Sequence, residues 1–184
     1  MVEDLCFHLV DLVQNSVAAG ARTIALSVRE DKSRDSLTLE VADDGRGMDR
    51  PTLLKVQDPF FTSKSFKKVG LGIPLLKATS EACRGHFSIR SRAGQGTRVQ
   101  ARLQKSNVDC PPLGDLEATL LSLLASLDQV NLVFSYRNDR GKFSLSSEEI
   151  RRQVGDLHFS HPEVYGFLKS YIHEGLGALL APAG

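Results

Sequence analysis

Three pairs of glycines, each pair separated by one residue, interrupt the first hundred residues of this 184-residue chain. The pairs are Gly45 and Gly47, Gly70 and Gly72, and Gly94 and Gly96. Glycine adopts positive φ angles and lets a backbone approach closely where a Cβ would clash, so each pair marks a tight loop able to contact a ligand. Because these loops interrupt regular secondary structure, we expect the segments between them to form short strands and helices.

Composition then narrows the class of protein. Hydrophobic residues make up 41%, charged residues 24% and the net charge is +1, which is typical of a globular chain and disfavours a polyanion-binding chain as a whole. No apolar run approaches the ~20 residues that cross a bilayer. The acidic residues 1–5 are unlike a signal peptide, and Cys6, Cys83 and Cys110 are odd in number and widely spaced. We therefore expect reduced thiols, no membrane partner and a cytoplasmic location.

The small net charge hides a division of the chain into two parts. Residues 107–184 carry ten acidic and six basic side chains, a net −4, whereas residues 1–106 carry a net +5. At the border, the polar residues 106–110 are followed by Pro111 and Pro112, which interrupt strands and helices. The sequence predicts a domain over residues 1–106 and a small C-terminal α/β appendix over residues 107–184.

The first part alternates between two apolar periods. Residues 3–18 have helical period, with an apolar face of Leu5, Leu9, Leu12, Val13 and Val17 and an exposed polar stripe of Asp4, His8, Asp11 and Asn15. Alternating apolar residues predict four strands, at 24–28, 37–41, 87–89 and 99–103, and a second helix starts near Ile73 and Pro74. This order predicts a two-layer α/β sandwich, with helices on one face of a mixed, mostly antiparallel sheet.

The appendix gives weaker signals. An amphipathic helix begins near Leu116, and a hairpin turns at residues 138–141. Ser146 and Glu149 have the spacing of a capping box before a short helix. A last helix begins at His161 and Pro162 and carries the apolar residues Val164, Leu168, Tyr171 and Ile172. We expect an α-β-β-α-α unit that packs on the first domain.

Several polar residues in the first part suit a nucleotide. Asp11 and Asn15 lie one turn apart on the first helix; an Asn oxygen can ligate Mg²⁺, and a carboxylate there can orient or deprotonate water. Asp43, at a strand end, can accept a hydrogen bond from an exocyclic amine such as that of adenine. The loop of Gly45 and Gly47 allows close approach to a flat base.

The other two glycine loops complete this set. Gly70 and Gly72 lead into a helix N-terminus, which favours an anion such as phosphate. Lys64 adds positive charge nearby in the sequence, and Gly94, Gly96 and Thr97 form a tight turn that ends in a hydroxyl group.

These motifs, in this order, resemble those of the GHKL superfamily, the gyrase, heat-shock chaperone, histidine kinase and MutL ATPases with the Bergerat fold. Residues 11–21 resemble the N box, and their sequence is most similar to that of the MutL ATPases. Residues 41–48 match the D-x-G-x-G of the G1 box. Residues 58–64, 70–73 and 94–97 resemble the F box, the G2 box and the closing G-x-G-T of histidine kinases. The resemblance covers about residues 1–104, and the complete set of boxes is far more specific than any single box.

The resemblance implies Mg²⁺ and ATP as cofactors and assigns roles to the matching positions. Asn15 would ligate Mg²⁺, Asp43 would hold the adenine amino group, and residues 60–70 would form a lid. The implied ATP-binding set is Asn15, Asp43, Gly45, Gly47, Met48, Phe60, Thr62, Lys64, Gly70, Leu71, Gly72 and Thr97.

Asp11 departs from the pattern of the hydrolytic members. It stands where gyrase, MutL and chaperone ATPases have a catalytic Glu, and many histidine kinases have Asn. Asp keeps the carboxylate but loses one methylene of reach, and a displacement of about 1 Å can cost about a hundredfold in rate. Asp11 is therefore our catalytic candidate, with slow hydrolysis expected; ordering of water around Mg²⁺ and a merely solvated helix-face Asp are the alternatives.

The expected function is an ATPase or kinase module that passes phosphate to water or to a separate partner protein. Only 14 residues precede Asn15, which leaves no room in this chain for a phosphoacceptor helical hairpin or a sensor domain. The alternatives are a non-hydrolysing ATP-dependent switch that regulates a partner, and a degenerate fold without nucleotide. Nucleic acid is disfavoured, because we interpret the arginines of the last strands as ordinary surface charge: Arg84, Arg90, Arg92, Arg98 and Arg102.

Overall fold

The computed structural model describes residues 4–58, 72–127, 129–155 and 157–181. Their helices are α1 (Leu5–Ala18), α2 (Arg50–Lys55), α3 (Gly72–Ala82), α4 (Leu116–Ser126), α5 (Ser147–Val154) and α6 (Pro162–Leu180). Their strands are β1 (Thr23–Asp31), β2 (Ser36–Asp43), β3 (His86–Ser91), β4 (Thr97–Gln104), β5 (Asn131–Asn138) and β6 (Gly141–Ser146). The strands form one sheet in the order β3-β4-β2-β1-β5-β6.

Helix α1 begins and ends where its sequence favours it. The Asp4 carboxylate accepts a hydrogen bond from the Phe7 N–H at 3.0 Å and caps the first turn. Gly20, at φ +75°, follows the C-cap residue Ala19. The apolar face is buried as predicted, apart from Val17 in the last turn, which is 41% exposed.

The sheet is mixed and mostly antiparallel, as predicted. Pairs β1–β2, β2–β4, β3–β4 and β5–β6 are antiparallel, and only β1–β5 among the described pairs is parallel. Alternate residues such as Ile24, Leu26, Leu39 and Val41 face the helices and are at most 2% exposed. This alternation places one apolar layer under α1 and α3 and confirms the two-layer α/β fold.

The appendix is joined to the first part through the sheet itself. Strand β5 pairs with β1 in parallel, from Thr23 opposite Asn131 to Arg29 opposite Arg137. Its residues Leu132, Phe134 and Tyr136 continue the buried layer under α4 and α6. The sequence predicted packing on the first domain but not this shared sheet, because β-strand pairing partners distant in sequence leave no local signal. The boundary after residue 106 stays a prediction.

The linker between the two parts closes onto the start of α1. The Leu5 and Cys6 N–H groups, which have no partner inside the helix, donate to the carbonyl oxygens of Pro112 and Leu113 at 2.9 and 3.0 Å. Gly114, at φ +88°, lies so close to Asp4 that a Cβ would be 2.5 Å from its Cγ. The linker therefore satisfies helix-end donors that would otherwise need water.

One expectation for the appendix was wrong. Ser146 precedes α5 but makes no side-chain capping bond; its Oγ donates instead to the Asn131 side-chain oxygen at 3.3 Å, because β5 lies beside it. Of the apolar residues named for the last helix, Val164, Leu168 and Ile172 are buried. Tyr171 is 40% exposed, and its ring is tilted by 57° against that of Phe143, with ring centres 5.5 Å apart.

Helix α2 was not predicted. Its N-cap is Asp49, whose carboxylate accepts from the Thr52 N–H at 2.9 Å, and Pro51 occupies the first turn. That combination is a helix-start signal, but only six residues follow and none of them is buried, so no apolar period identifies the helix. No helix in the part of the chain that the structure describes is long and apolar enough to span a membrane.

His8 is buried and not exposed, contrary to the expectation. Its side chain has no solvent-exposed surface, and Nε2 lies 3.3 Å from Oγ1 of Thr79 on α3. Its Nδ1 has no hydrogen-bond partner among the described residues. Burial lowers the pKa of His8 below its ordinary value, although the charges of Asp11 and Asp4 act in the opposite direction. The period of α1 could not show this, because α3 covers the position.

The burial of His8 predicts a pH-dependent stability. Its pKa is lower in the folded than in the unfolded state, so its neutral form favours folding above the unfolded value of 6.5. That contribution is lost as the pH falls below 6.5 toward the folded-state pKa. The free energy of unfolding of the wild type should fall as the pH is lowered from about 7.5 to about 5. We expect this fall to be smaller in His8→Leu, measured by chemical denaturation at each pH. His86→Leu, at an exposed histidine, is the control; an unchanged slope in His8→Leu would contradict the assignment.

Gly175 predicts a second, size-dependent effect in α6. A Cβ at this position would lie 2.2 Å from the ring of Phe143, whereas a Cβ at Gly177 would meet nothing within 4 Å. Phe143 is buried against Phe134, so its ring has little room to move. We expect Gly175→Ala to lower the free energy of unfolding by about 1–3 kcal/mol. Gly177→Ala should leave it equal or raise it by about 0.5–1 kcal/mol, as for alanine in an open helix position.

Candidate nucleotide-binding site

A cavity of about 490 Å³ lies at one end of the sheet, between α1, α2 and the start of α3. Its floor is the end of β2 and the start of β4. The lining residues are Leu12, Asn15, Ser16, Ala18, Ala19, Val41, Asp43, Arg46, Gly47, Met48, Asp49, Thr52, Val56, Ile73, Thr97 and Val99. The cavity thus has mainly apolar walls, with a few polar groups at defined places, as small-molecule sites commonly do.

Asp43 lies at the floor of the cavity and is held from three directions. Its Oδ2 accepts a hydrogen bond from Ser16 Oγ at 2.7 Å. Its Oδ1 accepts from the Gly45 N–H at 2.9 Å and from the Thr97 N–H at 3.3 Å. A carboxylate held in this way keeps one orientation, and its remaining lone pairs can accept from a donor in the cavity.

The glycine loop after β2 packs tightly against the β3–β4 turn. Gly47 has φ +62°, and a Cβ there would lie 2.0 Å from the Arg92 carbonyl oxygen. The next residue, Met48, donates its N–H to Ser91 Oγ at 2.8 Å. Any side chain at Gly47 would therefore push the loop away from the turn and change the shape of the cavity.

Thr97 lies on the opposite side of the same floor. Its Oγ1 is 2.8 Å from Ser91 Oγ, which also donates to the Gly96 carbonyl oxygen at 3.0 Å. The turn before it needs glycine, because Gly96 has φ +79° and a Cβ would lie 1.8 Å from the Asp43 carbonyl oxygen. Two of the three groups that hold Asp43, the Ser16 hydroxyl and the Thr97 N–H, thus come from segments that are distant from it in the sequence.

Asn15 and Asp11 occupy different positions relative to the cavity. Asn15 lines it directly, whereas Asp11, one turn earlier, is not among the lining residues. Asp11 lies against the first residue of α3, since a Cβ on Gly72 would be 2.9 Å from Asp11 Oδ2. The start of α3 therefore lies beside Asp11, and the N–H groups in the first turn of a helix favour an anion.

Five of the predicted ATP-binding residues lie outside the described part of the chain: Phe60, Thr62, Lys64, Gly70 and Leu71. Their roles, and that of residues 60–70 as a lid, stay predictions. The other predicted residues, Asn15, Asp43, Gly45, Gly47, Met48 and Thr97, come together around the cavity, and Gly72 lies at its margin beside Asp11.

Sequence reasoning gave no role to several residues that shape the cavity. Ser16 follows Asn15 directly, and its Oγ, which donates to Asp43, also lies 3.2 Å from the Leu12 carbonyl oxygen. The α2 residues Thr52 and Val56 and the exposed Arg46 were also missed. The helix-start signal at Asp49 was available for α2, but nothing local indicated that this helix would form a wall.

The polar groups of the site are compatible with Mg²⁺. The Asn15 amide and the Asp11 carboxylate, one turn apart on α1, are oxygen donors at the margin where α3 begins, and oxygen ligands are those Mg²⁺ prefers. No group of three or more His, Cys, Asp or Glu side chains among the described residues could hold a metal ion by itself. A cation here would need ligands from a phosphate or from water in addition.

Comparison with known proteins agrees with this geometry. A family profile described as histidine kinase-, DNA gyrase B- and HSP90-like ATPase matches residues 2–107. The sensor protein kinase FleS of Pseudomonas aeruginosa is 40% identical over 89 residues, which cover 48% of this chain and 22% of FleS. Sporulation kinase C of Bacillus subtilis is 27% identical over 94 residues, which cover 51% of this chain and 22% of that kinase. The similar segment is therefore less than a quarter of either relative.

Solved structures extend the similarity of fold into the appendix. The Aquifex aeolicus MutL ATPase domain complexed with ADP superposes with a TM-score of 0.52 at 18% identity, over 84% of this chain and 68% of that chain. The N-terminal domain of a DNA repair protein gives a TM-score of 0.52 at 14% identity, over 79% of this chain and 53% of that chain. At these low identities, the solved structures show a similar fold only. The profile match over residues 2–107 shows that the chain belongs to the histidine kinase-, DNA gyrase B- and HSP90-like (GHKL) ATPase family.

Proposed function

We propose that this chain binds Mg²⁺-ATP in the cavity between α1, α2 and α3. The observation that carries the proposal is the Asp43 carboxylate, which Ser16, Gly45 and Thr97 hold in one orientation at the cavity floor. The apolar side chains of Val41 and Val99 flank this floor and offer contact area for a planar base. An adenine amino group would donate to Asp43, and the base would lie against the glycine loop.

The phosphates would extend from the base toward the start of α3. The N–H groups at this helix end attract an anion, and Asn15 would provide an amide oxygen for Mg²⁺. Bound Mg²⁺ would neutralise part of the phosphate charge and hold the phosphate oxygens in place. Gly72 supports this arrangement, because the absence of a side chain lets α3 begin in contact with Asp11.

The reaction we propose is the transfer of the terminal phosphoryl group to water or to a separate acceptor protein. The bond between the terminal phosphorus and the bridging oxygen breaks, ADP leaves, and the acceptor oxygen or nitrogen bonds to phosphorus while it loses a proton. In this proposal Asp11 would orient the acceptor or take that proton. The relatives named sensor protein kinase and sporulation kinase support a protein acceptor. A cytoplasmic setting, where Mg²⁺-ATP is available, fits this proposal.

One observation favours a second candidate, an ATP-dependent switch without turnover. Asp11 does not line the cavity, and its carboxylate lies against Gly72. This position suits a structural role, in which Asp11 orders the start of α3, as well as it suits a role in catalysis. In this case nucleotide binding would change the position of α3, and a partner protein would respond to that change. The two candidates share the ATP site and differ only in turnover.

Asp43→Asn tests ATP binding. An amide at this position can present its NH₂ group to the Gly45 and Thr97 N–H donors or to the adenine amine, so the acceptor pattern is lost. We expect ATP at about 100 times its Kd to stabilise the wild type by about 2.7 kcal/mol, which is roughly 5–10 °C in thermal midpoint, and Asp43→Asn to show almost none of this shift.

Asp44→Asn is the matched control for this experiment. Asp44 is the next residue, but its carboxylate accepts from the Arg22 and Thr23 N–H groups at 2.7 and 2.9 Å and does not line the cavity. This variant should keep the full ATP-induced shift. A wild-type protein whose midpoint does not respond to Mg²⁺-ATP would overturn the proposal.

Asp11→Asn separates turnover from binding. Removing a general base or water-orienting carboxylate typically costs about a hundredfold or more in rate. We expect phosphate release or transfer from radiolabelled ATP to fall by that factor, while the ATP-induced thermal shift stays within error of the wild type. Asp109→Asn, at an exposed linker position, is the control and should keep wild-type turnover. Binding without any turnover in the wild type would favour the switch.

A further inference from the structure

The face of the sheet that points away from the helices carries a set of cations that the nucleotide site does not use. Strand register places His86, Arg102, Thr38, Arg29, Arg137 and Lys142 in one row across all six strands. Arg90 lies opposite Arg98 two rows further along the same face, beyond the row of Ser88, Gln100 and Glu40. We call the six arginine and lysine residues of these rows the basic sheet face: Arg29, Arg90, Arg98, Arg102, Arg137 and Lys142.

All six side chains are exposed, and they are poorly neutralised. Of these six side chains, Arg98 alone forms an ion pair with another described residue, Glu40, at 3.3 Å. Glu40 lies on the same side of β2, and Asp31, at the end of β1, pairs with Arg34 of the following turn. The face is therefore strongly cationic in a chain whose net charge is only +1.

The arrangement of these cations is unfavourable for the isolated protein. Arg29 lies directly opposite Arg137, Arg137 directly opposite Lys142, and Arg90 directly opposite Arg98. Like charges at directly opposed strand positions destabilise a sheet, whereas opposite charges at these positions stabilise it. A sheet face that contacts only solvent could carry the stabilising pairs instead. A bound polyanion would remove this repulsion.

The sequence alone disfavoured nucleic acid, but it could not show that these cations share one face; from their register we propose that the basic sheet face binds the phosphate backbone of a nucleic acid duplex. Five spacings between six strands make the row about 24 Å wide, which is close to the width of a duplex. Between the cations lie short hydroxyl and amide side chains, such as Ser27, Ser88 and Gln100, which can donate to phosphate oxygens. Arginine, lysine, serine and glutamine are the usual sources of backbone contacts, and such contacts do not depend on base sequence.

Other anionic partners fit the face less well. Its described strand positions carry no Phe, Tyr or Trp, which are the usual anchors of a protein interface and the stacking platforms for single strands. Strands in a sheet rotate by roughly 20–25° per step, or about 100–125° over five steps, so the face cannot lie flat on a bilayer. The twisted surface instead follows the curved backbone of a rod.

The test is a binding assay on the full chain with a fluorescein-labelled 20-base-pair DNA duplex, read by anisotropy over a range of salt concentrations. We expect micromolar or tighter binding at low salt for the wild type. The triple variant Arg29→Gln/Arg137→Gln/Lys142→Gln should weaken binding by about tenfold or more and reduce the slope of log K against log salt by about 2.7, for three phosphate contacts. The variant Lys32→Gln/Arg152→Gln/Lys169→Gln loses the same charge from exposed turn and helix positions and should bind like the wild type.

Three results would overturn the proposal: no duplex binding by the wild type at low salt, equal weakening by both triple variants, or tighter binding of polyglutamate or of anionic lipid vesicles than of the duplex.

The single variant Arg137→Gln checks folding and the repulsion argument together. It removes the central cation of the row, so its thermal midpoint should rise by roughly 1–4 °C, and a fall would contradict the repulsion argument. Asp43→Asn should leave duplex binding unchanged, because the basic sheet face lies on the opposite side of the sheet from the cavity.

Discussion

Strand β1 is hydrogen-bonded along both of its edges, and the rest of the molecule depends on this double pairing. On one side it pairs antiparallel with β2, whose end carries Asp43; on the other it pairs in parallel with β5 of the appendix. Its residues Ile24, Leu26 and Val28 are at most 1% exposed and form the centre of the apolar layer. The helices that build the cavity and the helices of the appendix therefore pack on one continuous surface.

Helix α1 gives the candidate nucleotide site a physical route to the appendix. Helix α1 contributes Asn15 and Ser16 to the cavity, while its first turn donates hydrogen bonds to the linker carbonyl groups of Pro112 and Leu113. The same helix contacts α3 through His8 and Thr79. A shift of α3 on nucleotide binding would act on α1, and through α1 on the linker. The switch candidate needs a connection of this kind.

Much of the first part could be predicted from local patterns, because its periods are clear and its glycine loops are closely spaced. The strands, α1, α3 and the grouping of Asn15, Asp43, Gly47 and Thr97 follow from such patterns and from the family motifs. The prediction failed where burial depends on a neighbour from elsewhere in the chain. His8 was expected to be exposed because the period of α1 gives no information about α3, and Ser146 was expected to cap α5 although it bonds to Asn131 of β5.

The sequence by itself determined the order of the strands and of the helices other than α2, the apolar face of most of them and the residue types of a nucleotide site. These follow from side-chain period, glycine spacing and helix capping, which act over a few residues. Only the tertiary structure decided that β5 joins β1, that Ser16 fixes the orientation of Asp43, and that cations from five strands form one face. Each of these depends on strand register or on helix packing between segments far apart in the chain, and no local pattern encodes such pairings.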